Sequence, residues 1–107
     1  MVVAVKRCHF IVAQSLLANV ADQCDWDHPQ VVTTVLASTL LRLQLRPPFG
    51  DGVVGLVGSD HVTSGNGSGC VHVAGAFGRE DYQLVVRAGL TPKVVIDGDG
   101  RYNAQVP

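Results

Sequence analysis

One stretch limits what this chain can become more than any other: Gly67-Ser68-Gly69-Cys70-Val71-His72-Val73-Ala74-Gly75-Ala76-Phe77-Gly78-Arg79-Glu80-Asp81-Tyr82. The alternation Cys70-Val71-His72-Val73 reads as a short strand that places His72 on the same face as Cys70 and the two valines on the other. Gly75 to Gly78 breaks that strand. Glu80 and Asp81 then fall in the first turn of a helix, where free backbone N–H groups and the helix dipole favour carboxylates. A strand, a loop and a helix start in this order can form a small cleft holding one His and one Asp.

The remaining pattern is one of short β-rich runs punctuated by Gly and Pro. Val2 to Val5 and Cys8 to Ala13, separated by Lys6-Arg7, read as two strands or one bent hairpin. From Gln14 to Cys24 the spacing turns helical, with Ala13, Leu17, Val20 and Cys24 on one face and Ser15 as the N-cap candidate. Asp25 to Pro29 is a polar loop. Val31 to Ala37 is too β-branched for anything but a strand, and Ser38 to Leu43 adds a short helical turn. Pro47-Pro48 stops regular structure before a strand at Val53 to Val57. The dipeptide Asn66-Gly67 pairs Asp60 to Thr63 with Cys70 to Ala74 as a hairpin. A second helix runs from Glu80 to Ala88, with Asp81, Leu84, Val85 and Ala88 on one face, and is stopped by Gly89 and Pro92. Lys93 to Ile96 reads as a last strand, followed by a tight turn at Asp97-Gly98-Asp99-Gly100.

A length of 107 residues allows one domain with a modest core, so residues 1–107 are expected to form a single unit. Charged residues are only 16% of the chain against roughly 25% in ordinary soluble domains, which leaves apolar surface for a partner. A net charge of -1 gives no bulk attraction to nucleic acid, so any RNA contact must be local. Cys8, Cys24 and Cys70 are odd in number and not in Cys-x-x-Cys pairs, which argues against a disulfide framework or a zinc site and fits a cytoplasmic setting. No apolar run approaches the roughly 18 residues of a membrane span. The glycines lack the G-x-G-x-x-G and G-K-[ST] patterns of phosphate loops. The acidic turn at Asp97 lacks the closing Glu of a Ca²⁺ loop.

An ordered series of motifs covers nearly the whole chain: Gly58-Ser59-Asp60-His61-Val62-Thr63, Gly67-Ser68-Gly69-Cys70-Val71-His72, Ala74-Gly75-Ala76-Phe77-Gly78, Glu80-Asp81-Tyr82, Gly89-Leu90 and Asp97-Gly98-Asp99-Gly100-Arg101. In order and spacing the series resembles the editing domain inserted in isoleucyl-tRNA synthetase and its valyl relative. Phe10 to Leu17 and the stretch from Leu43 to Phe49 resemble upstream segments of that domain. The resemblance implies a mainly β, barrel-like fold with two flanking helices and α+β character. It also implies hydrolysis of mischarged aminoacyl-tRNA in a pocket too small for the correct side chain.

By the same resemblance Asp81 is the catalytic residue, holding the substrate's α-ammonium, and His72, Ala76, Phe77 and Gly78 line the amino-acid pocket. No metal and no cofactor is expected, although Cys70, His61 and His72 include ligand types. The expected partners are the 3′ end of a mischarged tRNA and a second copy of the chain. The N-terminal strand Val2 to Val5 is the expected dimer contact, since the family's first strands have no counterpart here.

The chain departs from the family in two places. The threonine-rich peptide that helps position the attacking water has no match, Thr33-Thr34 included, and Gly75 stands where a proline is expected, which loosens the pocket loop. Neither the His-x-Gly-His nor the Lys-Met-Ser-Lys-Ser signature of the synthetic domain occurs, so these residues alone cannot charge tRNA. A reading of a different class therefore stays open: a non-catalytic remnant that serves as a binding or assembly module.

Overall fold

In the computed structural model, residues 1–63, 65 and 67–106 are described. Backbone contacts divide the chain into two compact units, Met1–Leu40 with Gly58–Val71, and Leu41–Val57 with His72–Pro107.

The first unit is built on a β-hairpin. Strands β1 (Val2–Val5) and β2 (Cys8–Ile11) pair antiparallel with Val2 opposite Ile11 and Val5 opposite Cys8, so Lys6-Arg7 is a two-residue loop. Such tight loops need a left-handed residue to follow the strand twist, and Lys6 takes it up at φ 55°. A β-carbon in that region carries a steric cost that glycine lacks. Lys6→Gly is therefore expected to stabilise the hairpin by about 0.5–1 kcal/mol after its larger unfolded-state entropy is counted. Urea denaturation checks this, and an unchanged or lower midpoint would show that the loop stores no such cost.

Strand β3 (Gln30–Thr33) pairs antiparallel with the other side of β1, giving the order β2-β1-β3. Val2 faces Thr33 and Val3 faces Val31, leaving Val32 as the extra residue of a bulge. The N-terminal strand, expected as the dimer contact, is thus the centre of the sheet. Its ladder groups are used within the chain, and the open edges belong to β2 and β3.

Between β2 and β3 the chain makes a 3₁₀ turn (Gln14–Leu16) and helix α1 (Leu17–Gln23). Val12, Leu16 and Val20 are buried together, with Ala13 and Trp26 packed against them and the Phe10 and Trp26 rings 4.7 Å apart. The inward face therefore differs from the expected one, which included Cys24; Cys24 is exposed. A 3₁₀ turn advances by three residues per turn rather than 3.6, which shifts the helical phase and brings Leu16 inward. Ser15 does not cap the helix, because the chain enters at Ala13 and no side-chain cap bond is made. Helix α2 (Ala37–Leu40) falls where a short helical turn was expected, and the strand before it ends at Thr33 rather than running to Ala37.

In the second unit, β4 (Gln44–Leu45) pairs antiparallel with β5 (Val54–Gly55), and helix α3 spans Arg79–Arg87. Helix α3 ends as expected at Gly89, whose φ of 71° lets its N–H reach Val86 O while the Leu90 N–H reaches Val85 O. This double bond pattern satisfies the last carbonyls and requires a residue at ease in the left-handed region. The Asp97 to Arg101 turn is also present: Asp97 Oδ1 accepts the N–H groups of Asp99 and Arg101 at 3.0 and 2.9 Å.

The expected α+β character is present, whereas the mainly β barrel with two helices is corrected. The fold has three α-helices, a three-stranded and a two-stranded antiparallel sheet, and no barrel closure among the described residues. Strands of two to four residues give ladders too short to close a ring, and both sheets keep open edges. Residues 60–63 and 70–74 form no strand, and Lys93 to Ile96 contributes only a single bridge, Ile96 to Tyr102. Asn66, half of the expected Asn-Gly turn, lies outside the described residues.

All five buried hydrophobic side chains among the described residues, Val3, Val5, Val12, Leu16 and Val20, belong to the first unit. No described helix is long and apolar enough to cross a membrane.

Candidate functional site

The five expected site residues all fall in the second unit, around the start of α3. Gly78 is the residue from which the helix starts, with extended backbone (φ -153°), and Asp81 is the third residue of the helix proper. At that position a short acidic side chain can turn back across the helix start and take up an N–H group of the preceding chain. Asp81 does so: its Oδ2 accepts the backbone N–H of Ala74 at 2.8 Å. The carbonyl of Ala74 in turn accepts the N–H of Phe77 at 2.9 Å, closing a four-residue turn over Gly75 and Ala76. The carboxylate, Ala74 and the turn are thus one hydrogen-bonded piece, half-buried at Asp81, Ala74 and Ala76.

Gly75 is the buried point of that turn. A β-carbon there would lie 2.7 Å from Val85 Cγ2 and 3.0 Å from Val85 Cβ, so the turn sits directly on α3. Gly75 has a packing reason, and its loop makes two hydrogen bonds besides this contact.

The structure joins Asp81, Ala76, Phe77 and Gly78 in this piece, with the Phe77 side chain 50% exposed beside it. His72 lies two residues before Ala74, exposed and outside these hydrogen bonds, and the chain around it is not a strand, so the shared strand face with Cys70 is not formed. Sequence reading missed the Ala74 N–H and the Gly75–Val85 contact. Nothing in the spacing signals either, because one is a side-chain bond to backbone and the other depends on how the turn folds back on the helix.

Elsewhere, Ser59 Oγ and His61 Nδ1 are hydrogen-bonded at 2.6 Å in an exposed turn of the first unit. Among the described residues no group of three or more His, Cys, Asp or Glu side chains is placed to hold a metal ion. An open depression lined by Ala21, Asp22, Asp25, Trp26 and Asp27 includes none of the expected site residues.

The fold is that of a small α+β protein, and Asp81 is a carboxylate held between a helix start and the turn before it. The chain's homology is to part of isoleucine–tRNA ligase. Over 92 residues it is 41% identical to the isoleucine–tRNA ligase of Streptococcus mutans, a match covering 85% of this chain and 10% of that protein. It is 34% identical over 106 residues to that of Lactococcus lactis, covering 99% of this chain and 11% of the ligase. It is 38% identical over 104 residues to that of Bdellovibrio bacteriovorus, covering 91% and 10%. The chain therefore spans about a tenth of the length of these curated relatives. No family model matches it.

Proposed function

We propose that the chain carries an editing-type site of the isoleucyl-tRNA synthetase kind, which hydrolyses the ester between a wrong amino acid and the 3′ end of tRNA. The observation that carries this reading is the Ala74 N–H to Asp81 Oδ2 bond of 2.8 Å, which ties a carboxylate to the loop that would line the pocket, in a chain homologous to isoleucine–tRNA ligase. Asp81 pairs with the α-ammonium of the aminoacyl group, a charge that needs a carboxylate once water is displaced. Ala76, Phe77 and Gly78, with His72 ahead of them, bound the side-chain space and set its size limit. Water attacks the ester carbonyl and the bond to the ribose oxygen breaks, releasing the amino acid and tRNA with a free 3′-terminal hydroxyl. The ester is labile, so fixing it beside a water supplies much of the rate without a metal, a cofactor or a covalent nucleophile. The cytoplasmic protein-synthesis machinery is the setting this reading implies.

Deacylation of valyl- and isoleucyl-tRNA specific for isoleucine tests it. Hydrolysis of the valyl ester well above the spontaneous rate, with the isoleucyl ester spared, is expected. Background rates for both would overturn the proposal.

A second reading, the assembly module, is favoured by a specific observation: strand β3 is an open edge with no charged residue, and Val31 and Val32 are 50% and 55% exposed. An apolar, uncharged edge is a template for pairing with another strand, and a symmetric homodimer is the commonest closed outcome. Sedimentation equilibrium is expected to show a species heavier than 11.3 kDa, returned to monomer by Val32→Lys. A monomer at micromolar concentration would remove this interface.

A further inference from the structure

The contact between Gly75 and Val85 does more than fill space, because it sets the height of the turn above α3 at the point where Ala74 must meet Asp81. The distances from an added β-carbon at Gly75 are 2.7 Å to Val85 Cγ2, 3.0 Å to Cβ and 3.3 Å to Cγ1. Swinging Val85 about χ1 cannot relieve this, since its Cβ does not move with χ1, and a β-branched residue in a helix holds one rotamer strongly. Any side chain at Gly75 must therefore lift the turn. A lift of a few tenths of an ångström takes the 2.8 Å bond from Ala74 to Asp81 towards the limit of useful hydrogen-bond geometry. The next residues of the same turn are Ala76, Phe77 and Gly78, so the lift moves the proposed pocket wall as well.

We propose that Val85 is a positioning residue of the editing-type site: its side chain, packed against the bare α-carbon of Gly75, fixes the turn so that the Ala74 N–H engages Asp81 and the pocket wall keeps its spacing from the carboxylate. This rests on the functional reading above for its consequence, but the mechanical part stands on geometry alone. Size discrimination then depends on a residue that touches no substrate. Filling Gly75 and removing the whole Val85 side chain, Cβ included, compensate each other.

The test is a cycle of the full chain, Gly75→Ala, Val85→Gly, which removes Cβ together with both methyl groups, and the double variant, read by NMR and by deacylation. An amide proton bonded to a carboxylate shifts as that carboxylate is titrated with acid, so the Ala74 amide is the reporter. In Gly75→Ala this response is expected to shrink clearly, and in the double variant to return to its parental size with the resonance near its parental position. An undiminished response in Gly75→Ala, or a double variant as altered as the single one, would overturn the proposal. If Gly75→Ala does not fold, a folded double variant with the Ala74 response supports the pairing, and an unfolded double variant counts against it. Valyl-ester hydrolysis should follow the same pattern, lost in the single variant and restored in the double. A parent chain without hydrolysis that still shows the amide pattern would sink the editing reading while leaving the Gly75–Val85 pairing intact.

Discussion

Gly69→Ala is expected to destabilise the first unit by about 2–4 kcal/mol. Two independent costs combine. Gly69 has φ 80°, where a β-carbon meets its own backbone, and the added carbon would also sit 2.5 Å from Ala13 Cβ, far inside van der Waals contact. Neither atom has a torsion that moves it away, since both are the first carbon of their side chains. Backbone must shift, and it is backbone that is hydrogen-bonded: the Ala13 N–H meets Ser68 O at 2.7 Å. Ala13 also packs against Val12, Leu16 and Val20, so displacing it disturbs the main apolar cluster of the unit. Against a total stability of about 5–15 kcal/mol, a loss of this size lowers the unfolding midpoint well beyond measurement error. Chemical denaturation of Gly69→Ala, Ala13→Gly and the pair separates the two costs. Ala13→Gly should recover the steric part and leave about 1–2 kcal/mol from the dihedral. A Gly69→Ala midpoint equal to the parent's would mean that residues 68 and 69 do not lie against Ala13 in solution.

The same glycine shows where sequence reading stops. That Gly67 and Gly69 mark a turn is legible, and both have positive φ. That Gly69 backs onto Ala13 is not, because the pattern of a local stretch holds no record of a partner distant in sequence. The elements legible in advance are those with local causes: the Val2 and Cys8 runs with their two-residue loop, the helical spacing after Ala13, and α3 with its Gly89 stop. The errors concern pairing. Cys70 to Val73 alternates as a strand should, yet a strand exists only where a partner ladder is available, and none forms there among the described residues. Conversely β1, read as a contact for a second copy, is the strand with two partners within the chain. At the site, the acidic first turn of α3 is legible from Glu80-Asp81, and the relation to isoleucine–tRNA ligase from the ordered motifs. What Asp81 holds is not, since Ala74 offers only a backbone N–H that any residue would offer.

Asp81→Ala is expected to abolish most deacylation, lowering kcat/KM by roughly thirty-fold or more, the equivalent of about 2–5 kcal/mol for leaving a desolvated ammonium unpaired. The alanine variant is ambiguous by itself, because it also deprives the Ala74 N–H of its acceptor and frees the turn, at a cost in stability of about 1–2 kcal/mol. Asp81→Asn separates the roles. The asparagine side-chain oxygen can still accept from Ala74, so the turn is expected to stay in place and the unfolding midpoint to remain close to the parent's. The negative charge is gone, and an amide attracts an ammonium far less than a carboxylate does. A folded, stable Asp81→Asn that hydrolyses valyl-tRNA no faster than Asp81→Ala would assign the carboxylate to substrate binding beyond its hold on the loop. An Asp81→Asn as active as the parent would confine Asp81 to bracing the turn and remove the ammonium contact from the mechanism.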